Sequence, residues 1–133
     1  MFLEKAHILK AKVLQIKNLE ANQTSGYSRS GKVEQKTKIA IISIGYADGF
    51  MRLAGNGRYS VSINGISYPT LGNICMDVSI IDITGSNDIS EGDDVIIFNS
   101  ILPLEKLADC TQTISYEVIS RIAPRIKRVF IYN

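Results

Sequence analysis

A chain of 133 residues is long enough to bury the core of one domain and too short for two, so we expect a single domain over residues 1–133. Hydrophobic residues make up 45% and charged residues 21%, and no apolar run approaches the roughly 20 residues of a membrane-spanning helix, which favours a soluble protein. The amino end lacks the features of a secretory signal, so a cytoplasmic location is expected.

Few residues are available for metal or nucleophilic chemistry. Cys75 and Cys110 form no CxxC pair, and the single histidine, His7, has no neighbouring ligand set, which argues against a zinc site. A Ser or Cys nucleophile would need His7 as its base at the amino end, which disfavours a hydrolase. The net charge is only +2, and lysine clusters such as Lys10 and Lys12 are more typical of a solvated face than of a nucleic-acid groove.

The first half of the chain predicts two strands with a long loop between them. Ile8 to Leu19 mixes apolar and basic residues and indicates a strand, although its period alone does not exclude a helix. Residues 22–38 contain few large apolar side chains and indicate a loop of a length that is often functional. Ile39 to Tyr46 is a β-branched run typical of a strand buried on both faces.

The second half predicts a hairpin and two further strands. In YSVSINGISYP, Asn64-Gly65 predicts a type I′ turn between two alternating strands. Ile74 to Ile83 and Asp93 to Phe98 read as two more strands, separated by glycines.

Two short helices and a final strand complete the predicted elements. The helices are expected at Pro103 to Asp109 and Ser115 to Ala123, with Pro124 ending the second, and RVFIYN is expected to close the chain as a strand. This pattern predicts a mainly β fold, a small Greek-key-like β-barrel with one or two short helices.

Several motifs occur together in a known arrangement. IGYADGF (44–50), LGNICMD (71–77) and SYEVISRIAPRIKRV (115–129) resemble, in order and near-spacing, the carboxy-terminal domain of alanine racemase. AKVLQIKNLEANQTSGYSRS (11–30) also resembles the opening strand and loop of that domain, so the likeness covers essentially the whole chain. The resemblance implies part of a pyridoxal-phosphate enzyme that interconverts L- and D-alanine for peptidoglycan precursors.

The family joins two domains, and only one of them resembles this chain. Its amino-terminal α/β barrel carries pyridoxal 5'-phosphate on a lysine, and no segment here resembles the segment around that lysine. The resemblance therefore implies an excised domain that is inactive on its own, with the cofactor bound mainly by the missing barrel. It also implies a homodimer, in which the β domain of one subunit contributes a tyrosine to the barrel of the other.

Tyr27 is the residue that the resemblance marks as catalytic. It stands among small residues in SGYSRS (25–30), which places it on a loop. Racemisation removes a proton from one face of an α-carbon and delivers one to the other, so the barrel lysine would serve one face and Tyr27 the other. From composition alone, packing of Tyr27 against Val33 or the hairpin is the simpler interpretation.

Three further residues match substrate-binding positions of the family. Met76 corresponds to the position whose backbone N–H and thioether region face the substrate carboxylate, in a turn that Asp77 is expected to fix. Tyr46 matches a tyrosine lining the passage to the cofactor, and Arg52 matches an arginine there that would attract a carboxylate. The plain alternatives are a core-capping aromatic for Tyr46 and a lone surface arginine for Arg52.

The chain also departs from the family pattern. Many members have arginine where this chain has Asn73, which removes or replaces one charge of the passage. Members often have a tyrosine that touches the cofactor phosphate where this chain has Pro124, and proline has neither hydroxyl nor N–H for that contact. The pocket wall belongs mostly to the barrel, so the preference between alanine and serine stays open.

Two other classes of function compete with this interpretation. A small basic β-barrel could bind single-stranded nucleic acid, although the aromatic residues do not alternate with the lysines as stacking platforms would. A purely structural dimerisation domain is the third alternative. We expect alanine as the ligand and neither nucleic acid nor a membrane as a partner.

Overall fold

The computed structural model describes residues 8–21, 34–99, 102–113, 118 and 121–122. Its strands are β1 Leu9–Leu19, β2 Thr37–Ile42, β3 Ser60–Ile63, β4 Ile66–Pro69, β5 Ser79–Asp82 and β6 Asp94–Phe98. Helix α1 spans Leu104–Cys110, and the two 3₁₀ turns Tyr46–Asp48 and Arg52–Ala54 lie between β2 and β3. The predicted mainly β fold is confirmed.

The strands form one antiparallel sheet that curls into a nearly closed barrel. Their order across the sheet is β4-β3-β6-β1-β2-β5. The two outer strands approach each other just beyond the end of β4, where Thr70 forms a bridge with Ile81. The Leu71 N–H donates to the Ile80 carbonyl over 2.8 Å at the same place. These contacts join the edges of the sheet and leave few unpaired strand groups there.

The long strand β1 belongs to both halves of the barrel. Its first part pairs with β6, with Leu9 opposite Phe98, and its second part pairs with β2, with Leu19 opposite Thr37. The register shifts between Val13 and Gln15, and such a bulge bends and twists a strand. The expected strand at Ile8 to Leu19 is confirmed, because pairing on both sides requires extended backbone here.

The predicted hairpin is present with the predicted turn. Asn64 has φ of 53° and Gly65 has φ of 81°, which are the two positive values that a type I′ turn requires. Val61 and Ile63 of β3 are fully buried, whereas Ile66 beyond the turn is half exposed. The alternation of serine with β-branched residues therefore assigns one face of the hairpin to the core.

Side chains from all parts of the barrel fill one main core. Its largest fully buried members are aromatic and branched residues: Phe50, Phe98, Ile42, Ile44, Ile63, Ile81, Ile83, Ile97, Leu107 and Val13. A smaller cluster of Leu19, Ile39 and Ile80 lies beside the contact between β2 and β5. Helix α1 contributes Leu107 and Ala108, so it packs onto the same core as the sheet.

Two predicted strands are shorter in the structure. The run from Ile39 to Tyr46 leaves the sheet after Ile42, and within Ile74 to Ile83 only Ser79–Asp82 is a strand. The Ser43 N–H still donates to the Lys12 carbonyl of β1, but beyond it the backbones of the two segments bond to each other between turns. The helix expected at Pro103 to Asp109 is confirmed and begins one residue later, after Pro103.

Other predictions fall on residues outside the described ranges. These are the loop portion 22–33 with Tyr27, most of the helix expected at 115–123, and the last strand, 128–133. Within the described ranges, no helix has both the length and the apolar character needed to cross a bilayer. The same ranges contain no cluster of three or more His, Cys, Asp or Glu residues that could hold a metal ion.

Candidate functional site

Three of the four predicted site residues lie in the turns between strands. Tyr46 begins the first 3₁₀ turn, Arg52 begins the second, and Met76 lies in the turn that precedes β5. Tyr46 is 41% exposed, Met76 is 54% exposed, and Arg52 is also exposed. All three therefore lie at the surface of the domain, where a ligand or another domain could contact them.

Backbone hydrogen bonds join the Tyr46 turn to the Met76 turn. The Tyr46 N–H donates to the Cys75 carbonyl over 2.9 Å, and the Ala47 N–H donates to the Met76 carbonyl over 3.0 Å. A Cβ atom on Gly45 would lie 2.3 Å from the Cys75 carbonyl oxygen and 2.4 Å from that of Met76. The two turns can approach this closely only because residue 45 has no side chain.

This contact determines where the Met76 N–H points. No described peptide bond is cis, and in a trans peptide the C=O and the N–H point in opposite directions. Because the Cys75 carbonyl points at Tyr46, the Met76 N–H points away from it. Within the described part of the chain this N–H has no hydrogen-bond acceptor. An exposed turn therefore presents an available backbone donor.

The buried side chain of Asp48 hydrogen-bonds to the backbone at the start of the Tyr46 turn. Only 2% of it is exposed, and its Oδ2 accepts a hydrogen bond from the Gly45 N–H over 3.0 Å. In return the Asp48 N–H donates to the Gly45 carbonyl over 3.0 Å. Asp48 was not among the predicted site residues, although the dipeptide Asp48-Gly49 is a recognisable turn signal.

Arg52 lies against the Tyr46 ring. Its Cζ is 5.6 Å from the ring centroid, a distance typical of a cation–π contact. The contact holds a positive charge beside the tyrosine at the surface. The two residues that the sequence assigned to the same passage are thus neighbours.

Asn73, in the second motif, is held by a nearby asparagine. The Asn56 side-chain nitrogen donates to the Asn73 side-chain oxygen over 3.0 Å, and the Asn56 N–H donates to the Gly72 carbonyl over 2.8 Å. Asn73 is therefore linked to the chain just after the Arg52 turn. The sequence indicated no role for Asn56, since its partner is 17 residues away.

The third motif, residues 115–129, also contacts the Gly45–Phe50 segment. Gly49 has φ of +103°, and a Cβ there would lie 2.6 Å from the Arg121 carbonyl oxygen and 3.0 Å from the Ile122 Cα. The Gly45–Phe50 segment therefore contacts the Met76 turn at one end and residues 121–122 at the other. The three motifs that are separated in the sequence meet at one surface.

Two basic residues of β1 share one acidic partner. Lys12 Nζ lies 2.5 Å from Asp94 Oδ1, and Lys10 Nζ lies 3.7 Å from Asp94 Oδ2. The hydrogen bond from Lys12, followed by its charge, lowers the pKa of Asp94 below its usual value. An ionised carboxylate between the two lysines offsets part of the positive charge that would attract a nucleic-acid backbone.

Comparisons with known proteins agree with this arrangement. Residues 6–130 match the family model described as alanine racemase, C-terminal domain. The chain is 36% identical over 132 residues to the alanine racemase of Desulfosudis oleivorans, covering 96% of this chain and 34% of that protein. It is 38% identical over 118 residues to an amino-acid racemase of Enterococcus faecalis, covering 89% of this chain and 16% of that protein.

A solved structure gives the same relationship. The alanine racemase of Bartonella henselae, solved with covalently bound pyridoxal phosphate, superimposes with a TM-score of 0.88 at 36% identity. The match covers 93% of this chain and 34% of that one, so this chain spans about a third of the length of the alanine racemases it matches. The family model matches nearly every residue, and the barrel topology and the contacts between the motifs are consistent with that match. The chain therefore belongs to the family of alanine racemase C-terminal domains.

Proposed function

We propose that this domain completes the active site of a pyridoxal-phosphate-dependent alanine racemase, an isomerase that interconverts L- and D-alanine. The observation that carries this proposal is the convergence of the family motifs on one surface, with Tyr46 and Arg52 in contact and the Met76 N–H unpaired among the described residues. The relatives named alanine racemase are about three times as long, which supports a parent protein with a further domain.

The exposed groups suit a small amino acid with a carboxylate. The Met76 N–H would donate to that carboxylate, and the Arg52 charge would attract it from solvent. Tyr46, held by Arg52, would narrow the opening with its ring and could offer its hydroxyl to the substrate.

Pyridoxal phosphate belongs to this proposal through the parent protein. It is covalently bound in the Bartonella henselae alanine racemase, and when bound it would stabilise negative charge at the α-carbon of the substrate. The residues described here fit the substrate edge of such a site, because Arg52, Tyr46 and Met76 are exposed where a second domain could cover them. The barrel domain would supply most contacts to the cofactor itself.

Tyr27 would hold and release the proton on one face of the α-carbon. A free tyrosine has a pKa of about 10, so cations close to the hydroxyl would have to stabilise its ionised form near neutral pH. We assign those cations mainly to the barrel of a second subunit in a homodimer. The enzyme would work in the cytoplasm and supply D-alanine for peptidoglycan precursors.

The decisive experiment joins this chain to a racemase barrel domain and changes Tyr27 to Phe. Turnover in both directions should fall by about a thousandfold, because one of two proton-transfer groups is lost. The rate is measured from the change in optical rotation of L- and D-alanine. Tyr68→Phe, in the buried part of β4, is the matched control and should stay within about twofold of the parent rate.

Three results would contradict the proposal. They are a joined protein that does not racemise alanine, a Tyr27→Phe variant with the parent rate, and racemisation by the present chain alone with added pyridoxal phosphate. The first rejects the activity, the second rejects the role of Tyr27, and the third rejects the need for a partner domain.

A further inference from the structure

Asp48 is a charged side chain in a place where charge is costly. It is 2% exposed, and a buried carboxylate destabilises a fold unless hydrogen bonds compensate for the lost water. One such bond is the contact of Oδ2 with the Gly45 N–H at 3.0 Å. The carboxylate supplies an acceptor for the Gly45 N–H, which an apolar side chain could not supply.

Hydrogen bonds within the Gly45–Phe50 turn link the buried Asp48 to the exposed Met76 turn. The Gly45 carbonyl accepts hydrogen bonds from the N–H groups of Asp48 and Phe50, at 3.0 and 3.2 Å. With both the N–H and the C=O of Gly45 held, the next two N–H groups point outward to the carbonyls of Cys75 and Met76. The Cys75 carbonyl in turn determines the direction of the Met76 N–H, because the two groups belong to the same trans peptide.

We propose that Asp48 is a positioning residue that holds the Met76 N–H in the orientation needed to bind the substrate carboxylate. It does so without touching the substrate, through the Gly45 turn and the Cys75–Met76 peptide. Because the role of the Met76 N–H belongs to the proposed function, this inference rests on that function and deepens it.

The expected kinetic effect follows from the kind of contact involved. The substrate carboxylate carries its charge before, during and after proton transfer, so a donor to it stabilises the bound substrate and the transition state alike. Loss of such uniform binding raises KM and leaves kcat nearly unchanged. A general loosening of the fold would instead lower the concentration of active enzyme and so reduce the apparent kcat.

The test uses the chain joined to a racemase barrel domain. Asp48→Ala should raise KM for L-alanine about tenfold, the loss expected for a hydrogen bond to a charged group, with kcat within about twofold. Asp48→Asn retains an oxygen acceptor for the Gly45 N–H, so its KM should stay within about threefold of the parent value. If Asp48→Ala does not fold, Asp48→Ser, with a shorter uncharged acceptor, should show an intermediate rise in KM.

The chain contains a matched control in Asp93. Its Oδ2 accepts the Ser90 N–H over 2.9 Å, and its own N–H donates to the Ser90 carbonyl over 3.1 Å, the same reciprocal pattern at a turn that precedes β6. Asp93→Ala removes the same kind of bond from a turn that does not contact Met76. It should leave KM at the parent value.

The outcomes separate this inference from the proposed function. Equal KM values for Asp48→Ala and Asp93→Ala, or an Asn variant as impaired as the Ala variant, would overturn the positioning role while the joined protein remained an active racemase. A selective rise in KM with rescue by Asn would support it. An inactive parent fusion would reject the proposed function itself, and the positioning role with it.

Discussion

At the scale of single residues, Gly45 illustrates a glycine that is required for space and not for backbone freedom. Its φ of −146° and ψ of −168° are open to any residue. The restriction comes from the Cys75 and Met76 carbonyl oxygens, which a Cβ would approach to 2.3 and 2.4 Å. These carbonyls belong to backbone that cannot move without breaking the bonds to Tyr46 and Ala47.

We expect Gly45→Ala to destabilise the fold by about 3 kcal/mol, as overpacking against a fixed backbone does. Gly85→Ala is the control, because its position is open and only its φ of +87° opposes a side chain, at about 1 kcal/mol. Urea unfolding of the two variants measures the difference. If Gly45→Ala were no more destabilising than Gly85→Ala, the close approach of the two turns would be wrong.

At the scale of elements, Tyr59 connects the start of β3 to β6. It is 4% exposed, and its hydroxyl donates a hydrogen bond to the Ile97 carbonyl. Its ring also meets Phe50 edge to face, at 6.2 Å between centroids. Burial, and to a lesser extent the Cys110 thiol, raises the pKa of Tyr59 well above its ordinary value. The hydroxyl therefore stays neutral in the folded state at pH values where an unfolded tyrosine ionises.

The sign of the pH effect follows from this raised pKa. The stabilisation by Tyr59 is complete below about pH 10, the ordinary tyrosine pKa, and is lost as the pH rises further, because only the unfolded state releases the proton. Tyr59→Phe should lower the free energy of unfolding by about 1 kcal/mol at pH 7 and flatten its decline above pH 10. Urea unfolding between pH 7 and 11 tests this. Parallel curves for the two proteins would show that Tyr59 ionises equally in both states.

At the scale of the whole molecule, Thr70 links the closure of the barrel to the candidate site. It is 2% exposed and forms the bridge to Ile81 that joins the sheet edges. Its hydroxyl donates to the Ala54 carbonyl over 2.7 Å and accepts from the Gly57 N–H over 3.0 Å. The Arg52 turn is thus attached to the closing edge of the sheet by one side chain.

Thr70→Val keeps the shape of the side chain but leaves a buried carbonyl and a backbone N–H without partners. We expect a loss of about 3 kcal/mol in the free energy of unfolding, whereas Thr70→Ser, which retains the hydroxyl, should lose about 1 kcal/mol. Chemical denaturation followed by circular dichroism gives both values. Equal losses would mean that the methyl group, and not the two hydrogen bonds, is what Thr70 contributes.

The local pattern of the sequence determined most of the barrel. The Asn64-Gly65 turn, the alternation in β3 and the extended backbone of β1 depend on residues close together in the chain, so their structures could be predicted correctly. The predictions for Ile39 to Tyr46 and Ile74 to Ile83 were too long, because β-branched residues there favour extended backbone. Their ends instead hydrogen-bond to each other, and that contact joins segments about 30 residues apart.

The resemblance to the family selected Tyr46, Arg52 and Met76 as candidates, and their roles stay predictions. The role of Tyr27 also stays a prediction, and this residue lies outside the described ranges. Asp48 could have been recognised from the dipeptide Asp48-Gly49, whereas the link between Asn56 and Asn73 exists only once the turns are packed. The sequence by itself therefore determined the local elements of the barrel and, through the family resemblance, named the candidate site residues. The tertiary structure decided which way the Met76 N–H points, because a peptide takes its direction from the partner of its carbonyl, and that partner, Tyr46, is distant in the chain.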